Sequence, residues 1–443
     1  MELRGKRVII LGLGASGISA ARLALAHGAR VTGTDALPLE NLAPVVKELG
    51  IEIVAGGHAG VDFDAADVLV VSPGVPGLPE LARAEKQGAL GIGEMELAAR
   101  FISAPILAIG GTNGKSTTTT LVARMCEAAE RLTFAGANLG TPACDAANGD
   151  WDAVVFEVSS FQLERAPEFR PKVCVLLNIS EDHLDRYESF ADYARAKGNA
   201  FVNQGPDDVA IVPQADAACM VQARRGRAKI VTFGAGGDYD LRGRRVVERL
   251  TDTAFDLGDV PLHGRHNLEN AAAAIAAVRA VGVGVDAVAA GLGHFVPLGH
   301  RMVLVGEVGG VGFYDDSKGT NVGASVTALS GLGEERAVLI AGGRDKQGSY
   351  GPLVDALERK GRGVVLIGEA TERIAEAIGD RVPVERASSM EEAVKKAFGM
   401  AKAGDAVLLS PACSSFDMFK SYSDRGDRFV AAVKDLASRE AAR

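Results

Sequence analysis

The chain has 443 residues, too many for one hydrophobic core, so two or three domains of roughly 100–200 residues each are expected. Hydrophobic residues at 47% and charged residues at 24% are ordinary for a folded protein and exclude a disordered one. With 48 basic against 57 acidic side chains the net charge is −9, so no nucleic-acid partner is expected.

The N-terminus, MELRGKRVIILGLGASG, is not read as a signal peptide, because its apolar run flows into a glycine turn without a cleavage region. Val8–Leu11 reads as a strand, and Gly12, Gly14 and Gly17 form a GxGxxG turn before an Ala-rich helix. Asp35 ends the next strand, 18 residues after Gly17. Such glycines let the backbone approach a pyrophosphate, and such an acid takes ribose hydroxyls. NAD and a nucleotide-diphosphate sugar both present that chemistry, and a plain tight turn is the structural alternative.

A short glycine-rich strand leads into the helical stretch Glu94–Phe101, and Pro105 opens the next strand. Ile106–Ile109 leads into GTNGKST, Gly111–Thr117, and then a helix. A loop of this kind offers stacked backbone N–H groups and a helix N-terminus to phosphates. Lys115 reaches β/γ-phosphates, and the Ser116 hydroxyl is a Mg²⁺ ligand. Ile109 stands where a full P-loop has its first glycine, so this is a short variant. The alternative is a solvated lysine on a glycine turn.

Ala153–Phe156 is a buried strand ending at Glu157, where an acid beside a P-loop suits Mg²⁺, although a cap or an ion pair has the same signature. Val173–Leu177 runs into NISEDHLDRY, which crowds Asn178, Asp182, His183 and Asp185 into one loop. Lys197, in the helical FADYARAKGNAF, reads from its surroundings as a solvated lysine. Asn267 and Asn270 fall on adjacent helical turns. The Ala-rich stretch 271–293 is broken by Arg279 and Asp286 and is a poor membrane span.

A break near Pro297–Gly299 precedes His300 and Arg301 and the strand pattern MVLVGEV. DDSKGTN, residues 315–321, clusters Asp315, Asp316, Lys318 and Thr320 after another strand. Val338–Ala341 runs into Gly342-Gly343 and a helical stretch near Leu353–Arg359, the third strand–glycine–helix start. SPACSSFDMFKSYSDRGDRF, 410–429, follows the strand AVLLS and mixes hydroxyls, Lys420 and aromatics, as a pocket for an amino acid requires. Strands alternating with helices predict mostly parallel sheets covered on both faces. The expected fold class is α/β with three domains, at 1–93, 94–297 and 298–443. Cys126, Cys144, Cys174, Cys219 and Cys413 have no metal-ligand spacing and read as buried thiols of a cytoplasmic protein.

Taken together, GTNGKST, EVSSFQLE, NISEDHLDRY, HNLENAAAA, GHR, DDSKGTN and the 410–429 block resemble the Mur ligases of peptidoglycan synthesis, in order and over nearly the whole chain. The last block is similar to that of the glutamate-adding member, and the DNPR element of diamino-acid-adding members is absent. The resemblance implies a Rossmann-like N-terminal domain for a UDP-sugar, a central P-loop ATPase domain, and a Rossmann-like C-terminal domain for the amino acid. It implies an amide ligase that joins D-glutamate to UDP-N-acetylmuramoyl-L-alanine through an acyl phosphate, with ATP and two Mg²⁺ ions, for which Mn²⁺ can substitute.

For the UDP-sugar the resemblance implies Gly14, Ser16, Gly17, Asp35, Ser72, Gly74, Asn138 and His183. For ATP it implies Gly111, Thr112, Asn113, Gly114, Lys115, Ser116, Thr117, Asn267, Asn270, Arg301 and Asp316. Ser116, Glu157, His183 and Lys197, the last as a carbamate, would hold metal, and Lys318, Thr320, Lys346, Ser415 and Tyr422 the amino acid. Lys115, Glu157, His183, Lys197, His300, Arg301 and Lys318 carry the chemistry in that reading. Tyr422 stands where some relatives have Phe, Arg344-Asp345 lies in a variable loop, and Ala36-Leu37 replaces polar residues. A monomer without membrane partners is expected. The alternatives are a folylpolyglutamate-synthase-like ligase, which lacks the N-terminal Rossmann unit, an L-glutamate-adding Mur ligase, and a non-enzymatic nucleotide-binding protein.

Overall fold

The computed structural model describes residues 1–262 and 264–441. The chain divides into two compact units: Met1–Ile179 with Ala194–Val260 and Glu269–Phe295, and Ser180–Tyr193 with Pro261–Leu268 and Val296–Arg443.

Two sheets lie in the first unit. The N-terminal one contains β1 (Arg7–Leu11), β2 (Arg30–Asp35), β3 (Glu52–Ala55), β4 (Val68–Val71) and β5 (Leu90–Gly93), with α1 (Ala15–Ala26) and α2 (Pro79–Lys86) between strands. Its order is β3-β2-β1-β4-β5, parallel throughout. The strand order reverses beside β1, which puts the Gly12–Gly17 turn at the switch point where such sheets bind ligands. β1 and β4 are apolar on both faces, as strands covered on both sides must be.

After α3 (Glu94–Ala99) come β6 (Ile106–Gly110), α4 (Lys115–Ala128), β7 (Thr133–Ala137), β8 (Ala153–Glu157), α5 (Ser160–Leu163), β9 (Val173–Leu176), α6 (Phe190–Val202), β10 (Val209–Pro213), α7 (Ala217–Ala223) and β11 (Lys229–Gly234). β12 (Tyr239–Arg242), β13 (Arg245–Glu248) and β14 (Thr253–Asp256) follow, then α8 (Arg265–Ala280) and α9 (Val285–Gly293). The nine strands run β14-β13-β12-β11-β10-β9-β6-β8-β7. Only β12–β14 pair antiparallel, an edge meander that strand alternation does not announce. The Ala-rich segment of α8 is buried from Ala271 to Val278, where small side chains admit close packing.

α3 ties the two sheets of this unit together. The Cys144 amide donates to Glu94 Oε1 at 2.6 Å, and the Gly93 amide to the Arg165 carbonyl at 2.7 Å. Arg165 also pairs with Glu85 at 2.5 Å, and Ser19 donates to Asp145.

The second unit holds β15 (Val303–Val308), β16 (Val311–Asp315), α10 (Val322–Gly331), β17 (Ala337–Gly342), α11 (Gly351–Lys360), β18 (Gly361–Ile367), α12 (Thr371–Ile378), β19 (Val384–Arg386), α13 (Met390–Met400), β20 (Ala406–Leu409) and α14 (Tyr422–Ala441). The sheet order is β15-β16-β20-β17-β18-β19, and only β15 is antiparallel. Apolar clusters cover both faces, one with Leu339, Leu353 and Leu366, the other with Phe313, Ile340 and Phe429.

The expected fold class therefore holds: three α/β sheets, mostly parallel. All five cysteines are free and buried, as their spacing suggested. Among the described residues no helix is long and apolar enough to cross a membrane.

Candidate active site

In the N-terminal sheet, a Cβ at Gly17 would lie 1.8 Å from the Gly12 carbonyl oxygen, so only glycine fits there. Gly14 faces open space, which leaves its backbone approachable. The Asp35 carboxylate takes the Leu13 amide at 2.7 Å and the Leu37 amide at 2.9 Å. It thus ties the glycine turn to the end of β2. Ser72 donates to the Gly12 carbonyl at 3.1 Å, joining the loop after β4, which also carries Gly74, to the same turn, and Ser16 lies in the first turn of α1.

The GTNGKST loop connects β6 to α4, as expected. Gly114 has φ +85, and a Cβ there would meet Asn270 Oδ1 at 2.4 Å. Asn270, buried on α8, therefore packs against the loop, whereas Asn267 clusters with the second unit. The Thr118 amide closes onto the Gly114 carbonyl at 3.0 Å, so the N-terminus of α4 faces the loop. Asn178, at the end of β9, braces the loop three ways. Its carbonyl takes the Thr112 amide at 3.0 Å, its Oδ1 takes the Asn113 amide at 2.9 Å, and its Nδ2 donates to the Asn113 carbonyl at 3.1 Å. Lys115 curls over the turn and donates to the carbonyls of Gly111 and Thr112 at 3.0 and 2.9 Å. Ser116 and Thr117 are buried beneath it.

Glu157 ends β8, in register with Ile109 of β6. Asn138 Nδ2 donates to Glu157 Oε1 at 2.6 Å, while Oε2 is buried and has no hydrogen-bond partner among the described residues. Among the described residues no backbone amide and no cationic side chain meets this carboxylate, as the cap or the ion pair that the sequence left open would require. A buried carboxylate oxygen without a donor suits a hard cation, so the residues fit Mg²⁺. Among the described residues no three His, Cys, Asp or Glu side chains gather as a metal cluster. A cation at Glu157 would therefore draw its other oxygens from hydroxyls, modified side chains or phosphates.

Lys197 corrects the plain reading of its sequence. It is 4% exposed, and its Nζ donates to the Gly111 carbonyl at 2.8 Å, on the same loop as Lys115. Lys197 shares the inward face of α6 with Ala194 and Phe201, a spacing that its charge outweighs in the plain reading.

The second unit builds two further clusters. In the first, Asp315 at the end of β16 takes His300 Nδ1 at 2.7 Å and the Ser317 amide at 2.9 Å. Asp316 accepts from Ser410 at 2.7 Å, and burial pushes its carboxyl up to about 7 against that bond and the attraction of Arg301. Lys318 Nζ lies 3.8 Å from the Tyr422 ring centroid, a cation–π contact that either Tyr or Phe can make. His300 meets the same ring edge-on at 6.3 Å. The Thr320 amide donates to the Lys318 carbonyl at 2.8 Å, and Ser415 is buried at 2% exposure.

The second cluster centres on Asp182. Lys346 Nζ reaches Oδ1 at 3.0 Å, Asn321 Nδ2 reaches Oδ2 at 3.1 Å, and the His183 amide donates to Oδ1 at 3.0 Å. His183 has φ +57, a left-handed conformation unusual for a non-glycine residue. Asp182, Asn178, Asn321, Ser317 and Arg425 were not singled out as site residues from sequence. Only the crowding of polar residues in NISEDHLDRY and DDSKGTN hinted at the first four, and nothing marked Arg425.

A parallel sheet with a glycine turn at its switch point, a phosphate-loop sheet with an acid at the neighbouring strand end, and a third α/β sheet bearing polar loops make up the chain. Family models match three segments: the Mur ligase MurD-like N-terminal domain at residues 6–93, the Mur ligase middle domain at 109–278, and the Mur ligase glutamate ligase domain at 300–413. The chain belongs to the Mur ligase family. It is 44% identical to a UDP-N-acetylmuramoylalanine--D-glutamate ligase of Desulfosudis oleivorans, covering 100% of this chain and 99% of that one. To the enzyme of the same name from Geotalea daltonii it is 43% identical over 99% of both. The MurF ligase of Thermotoga maritima, solved in complex with ADP, shares the fold at a TM-score of 0.62 and 17% identity, covering 99% of this chain and 96% of that one.

Proposed function

We propose that this chain is a UDP-N-acetylmuramoyl-L-alanine:D-glutamate ligase of peptidoglycan precursor synthesis, working in the cytoplasm as a monomer. The observation that carries the proposal is end-to-end similarity to D-glutamate ligases at 43–44% identity. It is supported by the braced phosphate loop and the unpartnered Glu157 oxygen.

The UDP-sugar is assigned to the turn Gly12–Gly17 and Asp35 with Ser16, Ser72, Gly74, Asn138 and His183. The α4 N-terminus and Lys115 take the β/γ-phosphates of ATP. Mg²⁺ held by Ser116, Glu157, His183 and a Lys197 carbamate would offset phosphate charge. The substrate carboxylate attacks the γ-phosphorus, the bond to the β–γ bridging oxygen breaks, and ADP leaves an acyl phosphate. Lys115 offsets the growing charge on the transferred oxygens. The glutamate amine, held among Lys318, Thr320, Lys346, Ser415 and Tyr422, then attacks the acyl carbon and gives up a proton as phosphate departs. His300, Arg301 and Lys318 are the cationic groups available to stabilise the tetrahedral oxyanion.

The test is ADP release by the purified chain with each substrate omitted in turn. Turnover should require UDP-N-acetylmuramoyl-L-alanine, D-glutamate and Mg²⁺ together. Turnover with a folate and L-glutamate but not with the UDP-sugar would overturn the proposal.

A further inference from the structure

Arg425 is the largest fully buried side chain among the described residues. It lies on α14, in a stretch (SYSDRGDRF) whose charge density suggests a solvated helix face. Each of its three guanidinium nitrogens donates to a different acceptor. Nε donates to Ser317 Oγ at 3.0 Å, Nη2 to the Ser317 carbonyl at 2.8 Å, and Nη1 to the Cys413 carbonyl at 3.2 Å. Ser317 Oγ in turn donates to the Tyr422 carbonyl at 2.7 Å. A Cβ at Gly343 would lie 3.3 Å from Nη1, so the loop after β17 approaches the same guanidinium.

One planar group therefore joins the loops that follow β16 and β20 to the start of α14, with the loop after β17 packed against it. Lys318 is the residue after Ser317, Ser415 lies two residues beyond Cys413, and Tyr422 begins α14. Each belongs to the amino-acid pocket assigned above. Burying a guanidinium is costly, and burial draws its pKa down to about 10. The compensation is a fork in which each bond has a fixed direction, which an ammonium cannot reproduce.

We propose that Arg425 is the positioning residue of the amino-acid pocket, setting Lys318, Ser415 and Tyr422 relative to one another without touching substrate. This rests on the assignment of those residues to glutamate.

The test compares Arg425→Lys, Arg425→Ala and Ser317→Ala with Lys346→Ala, measuring the KM of each substrate, kcat and Tm. The Arg425 variants should raise the D-glutamate KM at least about tenfold while the ATP KM stays within about twofold. Millimolar guanidinium should partly restore Arg425→Ala but not Lys346→Ala. Where Arg425→Ala fails to fold, Ser317→Ala carries the same expectation, since it removes one acceptor and leaves the arginine in place. Folded Arg425→Lys and Ser317→Ala with unchanged glutamate KM, beside a raised KM in Lys346→Ala, would overturn the positioning role alone. An unchanged glutamate KM in all four would overturn the pocket assignment as well. A purely structural role would lower Tm and shift all three KM values alike, without rescue.

Discussion

The Asn138 carboxamide fixes one oxygen of Glu157 at 2.6 Å, and the other is buried without a hydrogen-bond partner among the described residues. Asn138 follows β7 and Glu157 ends β8, so adjacent parallel strands aim the acid. Glu157→Gln should therefore weaken Mg²⁺-dependent ATP binding at least about tenfold in calorimetry, since a neutral oxygen is a poorer ligand for a hard cation. Its Tm should stay equal or rise, because an unsatisfied buried carboxylate is removed. Unchanged Mg²⁺-dependent binding would remove Glu157 from the metal site.

In the proposed reaction Lys115 acts on transferring oxygens, while Asn178 holds the loop's shape. Lys115→Ala should cut turnover by about 10²–10³-fold and leave Tm within a few degrees. Asn178→Ala should lower ATP affinity and turnover together, because it releases the loop that Asn178 braces. Near-normal turnover in Lys115→Ala would refute the phosphate-loop assignment.

Lys197 distinguishes two chemistries. A carbamate forms when the neutral amine bonds to CO₂ and releases a proton, which turns a cation into an anion able to serve Mg²⁺. Burial beside Gly111 places Lys197 on the phosphate loop rather than in solvent. Lys197→Ala should be nearly inactive and partly restored by acetate or formate, and the unaltered enzyme should lose activity when CO₂ is stripped. Full activity of the variant without added acid would leave Lys197 a structural residue.

Lys346 is tied to Asp182 at 3.0 Å and Ser415 is buried, so both are held in place. Lys346→Ala and Ser415→Ala should raise the glutamate KM by about tenfold or more and leave the ATP KM nearly unchanged, the signature of lost binding to one substrate. Equal effects on both KM values would contradict this.

Glu94 makes stability depend on pH. Burial lifts its carboxyl to about 7, opposed by its bond from Cys144 and reinforced by Asp145. A carboxyl raised in the folded state contributes fully below its unfolded value of 4.5, and that contribution is lost as pH rises through about 7. The full difference corresponds to about 3 kcal/mol at most. Glu94→Gln keeps an acceptor for the Cys144 amide and does not ionise. Relative to the unaltered chain it should gain Tm between pH 5 and pH 8. The same Tm difference at both pH values would show that Glu94 titrates normally.

Local order and pattern determined much of this protein. Apolar runs before GLGASG, GTNGKST and Gly342-Gly343 were enough to place the strand–turn–helix starts and the α/β class, because hydrophobic period and glycine torsions act over neighbouring residues. The phosphate loop, the acid ending β8 and the resemblance to the ligase family were legible for the same reason. Tertiary structure alone decided the roles set by residues far apart in sequence. Asn138 is 19 residues from Glu157, Lys197 is 86 from Gly111, Lys346 is 164 from Asp182, and Arg425 is 108 from Ser317. Lys197 reads as a solvated cation from its charge alone, and nothing in the sequence marks Arg425. Both are buried because parallel strands deliver distant loops to the same sheet ends, where backbone carbonyls replace the water those charges would otherwise need.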